Sequence, residues 1–247
     1  MTTNIKEVLD VGEVFSLQHN TSNKEMVMDL SLPIKIRLHA LKEYYLEFGE
    51  ESVELITTLG TMYLISRGTL IQDFLKEVSQ TINIGSIIRL EAVKYILSCS
   101  EDLISDENTE ENDAIKQRNQ KWQKLGYSCL NVVCRSMFDL PSPCRMEAIC
   151  LLMNDENYEE QIKRYLSDFI IDTNIEPEYK YKAILSLENK KPIFIFHSQW
   201  EFLHHDNNPT YYKILSCQYL LQKCELNENQ ITEIENIIYE FARDTDL

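Results

Sequence analysis

Apolar residues recur along this chain at the three- and four-residue spacing of an α-helix, and polar joints interrupt the runs. Residues 69–82 place Leu70, Phe74, Leu75, Val78 and Ile82 on one helical face. Residues 157–171 do the same with Tyr158, Ile162, Tyr165, Leu166 and Phe169. Residues 227–242 use Ile231, Ile234, Ile238 and Phe241, with Asn227 placed to cap the helix start. The other face of that last segment carries Glu228, Glu233, Glu235 and Glu240, the polar exterior expected of a capping helix over 227–244. KPIFIFHSQW at 191–200 reads locally as a strand, with aromatic and β-branched residues after Pro192. Its place in the order of elements, and the helical spacing of Phe196, Trp200 and Leu203, assign it to a helix instead.

A longer-range pattern overlies the helical one. LPIKIRLHAL at 32–41, IGSIIRLEAV at 84–93, LPSPCRMEAI at 140–149, IEPEYKYKAI at 175–184 and NPTYYKILSC at 208–217 share an order of features. Each has a turn residue, then a basic residue, then a small residue three positions later. The basic positions are Arg37, Arg89, Arg145, Lys180 and Lys213; the small ones are Ala40, Ala92, Ala148, Ala183 and Ser216. Pro or Gly breaks the chain and opens a helix. The small residue lets a neighbouring helix approach closely. The basic residue, one turn away, can reach a neighbouring turn or a carboxylate.

Successive basic positions are 52, 56, 35 and 33 residues apart. The last two intervals approximate one helix pair, and the first two require insertions. An extra helix between 50 and 82 accounts for one. Residues 101–113 account for the other: Glu101, Asp102, Asp106, Glu107, Glu110, Glu111 and Asp113, with no basic residue, predict a solvated acidic loop. These carboxylates are also candidate partner-binding residues.

The five segments resemble the second helix of a HEAT repeat, in which an apolar position, an Arg or Lys and a small residue three later follow a turn. Ile36-Arg37 with Ala40, Ile88-Arg89 with Ala92, and Cys144-Arg145 with Ala148 match closely. Lys180 with Ala183, and Lys213 with Ser216, match more loosely. The resemblance spans residues 30 to 245 but lacks the family's regular spacing and its turn aspartate before the basic residue. It implies an all-α fold, a HEAT- or armadillo-like α-solenoid of stacked antiparallel pairs with about ten to twelve helices in one domain over 1–247. It also implies a concave binding face and names no ligand.

Composition narrows the setting. Gly and Pro number only six each, too few for the turns of a sheet or barrel of 247 residues. The amino terminus lacks a basic start followed by an apolar run, and no apolar stretch approaches a membrane span, so a soluble intracellular protein, cytoplasmic or nuclear, is expected. Seven cysteines without CxxC spacing read as buried thiols of a reducing compartment. A net charge of −16 opposes nucleic acid and anionic lipid and suits a basic protein partner, although it also serves solubility alone. With 26 Ile and 17 Asn against 6 Ala, the chain has the bias of an AT-rich coding sequence, as in some protists and large DNA viruses.

Candidate chemistry is sparse. His204-His205-Asp206 contains a His-Asp pair that looks like the metal-binding dipeptide of helical HD-type phosphohydrolases, and His197 could add a ligand. The polar turn Asn207-Asn208-Pro209 that follows explains the cluster equally without metal. Cys217 and Cys224 lie two helical turns apart, a core spacing rather than a zinc spacing. Neither a phosphate-cradling glycine loop nor a nucleophile elbow occurs. Trp122 and Trp200 could stack bases as in helical-repeat DNA glycosylases, but their helical spacing suits a core. Lys116, Arg118, Lys121 and Lys124 read as an exposed helix face beside the acidic loop.

The leading expectation is a non-catalytic protein-binding scaffold or adaptor without cofactor or metal. Two alternatives stand beside it. One is a structural subunit of a large assembly, such as a viral particle, in which case the protein would be virion-associated, or a transcription complex. The other is a helical metal-dependent hydrolase or nucleic-acid processor centred on His204, His205 and Asp206.

Overall fold

The computed structural model describes residues 22–66, 69–81, 83–98, 110–188 and 192–244, and no strand occurs among them. The fold is all-α. In the order of the chain the helices are α1 (Asn23–Met28), α2 (Ile34–Phe48), α3 (Val53–Ser66), α4 (Thr69–Gln80), α5 (Ser86–Ser98), α6 (Glu110–Arg135), α7 (Ser142–Leu152), α8 (Glu159–Ile171), α9 (Pro177–Leu185), α10 (Pro192–His204), α11 (Thr210–Lys223) and α12 (Glu228–Asp244). KPIFIFHSQW folds as helix, within α10. No helix among the described residues is long and apolar enough to cross a membrane.

Two compact units divide the chain, Met1–Leu140 and Pro141–Leu247. In the first, α1 packs on α2, α4 on α5, α5 on α6, and α3 on α5. Val27, Leu41, Ile56, Phe74, Ile88 and Ile96 belong to its core, and Trp122 packs against them. In the second, α8 and α11 flank α10, α9 packs on α10, and α12 packs on α11. A small cluster of Leu203, Cys217, Leu220 and Ile234 ties α10, α11 and α12 together, with Phe196, Trp200 and Ile237 against it.

Each of the five recurrent segments opens a helix: α2, α5, α7, α9 and α11. The small residues are interior. Ala40, Ala92, Ala148 and Ser216 are fully covered and Ala183 nearly so. A glycine serves the same end elsewhere. A Cβ built on Gly60 of α3 would collide with the ring of Tyr95 on α5. Gly60→Ala is therefore expected to destabilise the first unit by about 1–3 kcal/mol, because overpacking outweighs a helix-propensity gain of about 1 kcal/mol. Thermal melting checks this, and an unchanged or raised midpoint contradicts the close approach.

Three sequence expectations need correction. Leu70 is 55% exposed, and Ile71 stands in its place on the buried stripe with Phe74, Leu75 and Val78; Ile82 lies outside the described residues. In α12 the interior stripe runs through Ile234, with Ile237 partly buried beside it, while Ile231 and Ile238 are each 37% exposed. In both helices the apolar residues span a wider arc than one packing interface covers, so one edge of the stripe stays outside. Finally, Glu110, Glu111 and Asp113 lie in the first turn of α6 and not in a loop. Carboxylates are favoured there by the positive end of the helix dipole. Glu101, Asp102, Asp106 and Glu107 lie outside the described residues.

Candidate binding surface

The recurrent segments share one local construction. Four of them follow a turn in which a backbone N–H bonds three residues back: Leu32 to the Asp29 carbonyl, Ile84 to Thr81, Ile175 to Asp172 and Asn208 to His205. The residue just before the helix, Pro33, Gly85, Pro141, Glu176 or Pro209, then accepts the backbone N–H of Arg37, Arg89, Arg145, Lys180 or Lys213. This fixes the basic side chain one turn into the helix, facing inward. Arg37, Arg89, Arg145 and Lys180 are each no more than 3% exposed, whereas Lys213 is half-buried.

The buried cations have defined partners. Arg37 Nε donates to the Val27 carbonyl at 2.9 Å, and its guanidinium lies 4.0 Å from the centre of the Phe74 ring. Arg89 Nε donates to the Ser79 carbonyl at 3.2 Å, and its Nη1 to Ser136 Oγ at 3.0 Å. Val27 and Ser79 both occupy the last turn of the preceding helix, where carbonyls lack intrahelical donors and the dipole favours a cation. In the fifth segment Asn208 takes this role, its amide donating to the Phe202 carbonyl in the last turn of α10 at 2.8 Å. Arg145 instead pairs with Asp172, the residue that ends α8, beside the Phe169 ring. Burial pushes Arg37 down to about 10, against the pull of Asp29, so the side chain stays charged at neutral pH. Burial also lowers Arg89 and Lys180, with Asp139 and Asp172 respectively opposing it. These residues are structural joints with internal partners, although the buried Nη2 atoms of Arg37 and Arg89 have no hydrogen-bond partner among the described residues.

Asp29 and Asp172 were not singled out in the sequence, yet each stands eight residues before its basic residue and organises the turn. The Asp29 carboxylate accepts from the Ser31 backbone N–H at 2.9 Å, and Asp172 from the Asn174 N–H at 2.9 Å. The readable signal is Asp followed two residues later by Ser or Asn.

An open groove lies between the start of α10 and the end of α11. Its volume is about 470 Å³, and its lining is Glu188, Pro192, Ile193, Ile195, Phe196, Tyr219, Lys223, Cys224 and Glu225. Ile193 is 49% exposed at its edge. Lys223 Nζ sits 3.7 Å from Glu188, leaving Glu225 as a rim carboxylate outside that pair. The Tyr219 phenol is pushed up to about 12, first by burial and then by the charge of Glu188, to which it also hydrogen-bonds, so it stays neutral. The groove thus has an apolar floor, a phenol hydroxyl and an anionic rim, which suits one apolar side chain of a peptide carrying a neighbouring cation.

The histidines do not converge. His204 has Nδ1 2.8 Å from the Trp200 carbonyl and Nε2 2.8 Å from Glu233 Oε1 of α12. His197 Nε2 lies 3.2 Å from both Ser167 Oγ and the Lys163 carbonyl. His205 has a buried Nδ1, and Asp206 sits exposed in the turn. Among the described residues, no group of three or more His, Cys, Asp or Glu side chains could hold a metal ion. Trp200 stacks on Phe196 with ring centres 5.8 Å apart. Lys116, Arg118, Lys121 and Lys124 are exposed on α6. Cys134 and Cys217 are buried free thiols pushed by burial to about 12 and about 11, which suppresses the reactive thiolate.

No family model and no solved structure matches the chain. A curated protein that it resembles is the uncharacterized protein 467R of Invertebrate iridescent virus 6, 22% identical over 169 residues. The match covers 67% of this chain and 29% of that protein, so the chain spans less than a third of its relative's length.

Proposed function

We propose that the protein is a non-catalytic binding scaffold, an α-solenoid of the HEAT or armadillo kind. In this reading the groove between α10 and α11 receives an apolar side chain of a protein partner. The observation that carries it is that groove: open, with Ile195 and Phe196 in its lining, Ile193 at its edge and Glu225 at its rim. The five segments that open interior helices with a basic and a small residue support the repeat architecture. The charge of −16 favours a basic partner.

Ile193→Lys tests the reading, because Ile193 is exposed and its replacement leaves the core intact. A protein retained in stoichiometric amount by the full chain is expected to drop at least about tenfold with this variant, as loss of a buried apolar anchor and an inserted charge together predict. Its retention is also expected to weaken in about 0.5 M salt. Equal retention by both chains removes the groove from the account. Stoichiometric bound metal lost on His205→Ala replaces the scaffold with the hydrolase reading.

A second reading, a structural component of a viral assembly, is favoured by one observation, the relative in an iridescent virus. Localisation in the particle, or in the cytoplasm or nucleus of the infected cell, separates the two.

A further inference from the structure

The outer face of α12 combines two features that oppose each other in an isolated helix. Ile231 and Ile238 are each 37% exposed and Tyr239 is 65% exposed. Ile231 and Ile238 are seven residues apart, so they lie on one line, about 10 Å from each other along the axis. Glu228 and Glu235 are exposed and fall beside that line, and Glu240 is exposed nearby, while Glu233 is engaged by His204. From Cys224 to Ala242 there is no Lys or Arg, and Arg243 in the last turn of α12 lies 5.9 Å from the centre of the Tyr239 ring.

A purely solvated face accounts for the carboxylates but leaves the apolar line unexplained. A second copy of the chain would cover the line, yet it would set Glu228 and Glu235 against their own copies in a molecule of net charge −16. Like charges across an interface are strongly disfavoured. An anionic membrane fails for the same reason. A helix with its own apolar stripe flanked by Lys or Arg satisfies both features, since apolar anchors at i and i+7 meet Ile231 and Ile238 while flanking cations meet the glutamates.

We propose that the outer face of α12 is a docking site for a cationic amphipathic helix of a protein partner. This rests on the scaffold reading and gives it a second address, distinct from the groove at Ile193. The turn Cys224–Asn227 leads into α12, and Asn227 caps it through paired bonds with Gln230, each at 3.0 Å. Packing on α11 through the buried Ile234 fixes which face is offered.

The test titrates the full chain with a synthetic 18-residue Leu/Lys peptide that forms an amphipathic helix, and with a scrambled peptide of the same composition and charge. Saturable binding of the amphipathic peptide, at least about tenfold tighter than the scrambled one, is expected. Ile231→Ser/Ile238→Ser is expected to abolish that preference, and Glu228→Gln/Glu235→Gln to weaken binding several-fold and flatten its salt dependence. All four residues are exposed, and a melting midpoint close to that of the parent checks that the variants fold. Both peptides offer the groove a leucine beside a lysine, so Ile193→Lys is expected to leave the preference for the amphipathic over the scrambled peptide unchanged. Equal binding of both peptides, or none of either, overturns the proposal, as does loss on Ile193→Lys without loss in the α12 variants. That last result keeps the groove and discards α12. Concentration-dependent self-association removed by Ile231→Ser/Ile238→Ser assigns the face to a second copy and also overturns it.

Discussion

Arg37→Ala is expected to lower the stability of the first unit by about 3–5 kcal/mol, the range for removing one partner of a buried polar pair and leaving a cavity. The side chain is 1% exposed, holds the Val27 carbonyl and covers the Phe74 ring. Alanine leaves the end of α1 without its donor and opens space against a fully buried phenylalanine. Arg37→Met separates the two contributions. It refills the volume and removes the charge, so it should cost well under the alanine value, since apolar isosteres of buried ions are often tolerated. Trp122 belongs to this unit and reports its unfolding by fluorescence in a Trp200→Phe background. Urea titration measures both variants, and a loss below about 1 kcal/mol for Arg37→Ala, the level of a surface substitution, contradicts the joint.

In the second unit, Asp172→Asn should have the next largest effect, about 3 kcal/mol, because it keeps the shape of the turn and strips the anion from Arg145. Arg145 is 3% exposed, so its charge has little access to water. The same pair sets a pH dependence. Burial raises the Asp172 carboxyl, but the Arg145 guanidinium and the Asn174 N–H outweigh it and hold it below the ordinary 3.8. A carboxylate with a lowered folded value binds its proton more readily when unfolded. Its contribution is thus complete above about pH 4 and is lost as the pH falls through the lowered value. Asp172→Asn should flatten the acid limb of the stability profile recorded through Trp200. A variant as stable as the parent, with the same acid limb, would show that Arg145 does not depend on Asp172.

Much of the helix content was legible because Pro and Gly sit where helices open and the apolar spacing continues behind them. KPIFIFHSQW shows why register was needed as well. Its Phe-Ile-Phe run has strand propensity, yet Phe194, Ile195, Phe202 and Leu203 are buried at helical spacing, and packing decides. What the sequence hid is the direction of each stripe. Leu70 and Ile71 are adjacent and both apolar, and only the position of α5 determines which is covered. The same ambiguity places Ile231 and Ile238 inside, where the structure leaves each 37% exposed. The acidic stretch misled for a different reason. Glu110, Glu111 and Asp113 suit a solvated loop and a helix start equally, and charge alone does not separate them.

The groove was not legible at all. It is assembled from the first turn of α10, the last turn of α11 and the chain on either side, whose proximity is a tertiary fact. The partners of the basic residues were only half legible. Spacing suggested a neighbouring turn or a carboxylate, and Arg37 and Arg145 use one each.

Central to the fold is the placement of Arg37 and Arg89 in the interior, each bound to the end of the preceding helix. Nitrogen-15 NMR of the arginine Nε–H groups measures this directly. The signals of Arg37 and Arg89 should exchange with solvent slowly, on the timescale of opening of the first unit, and should slow together as that unit is stabilised. Those of the exposed Arg164 and Arg243 should exchange fast. Fast exchange at Arg37 and Arg89, equal to that of Arg243, would place these side chains in water and contradict the account.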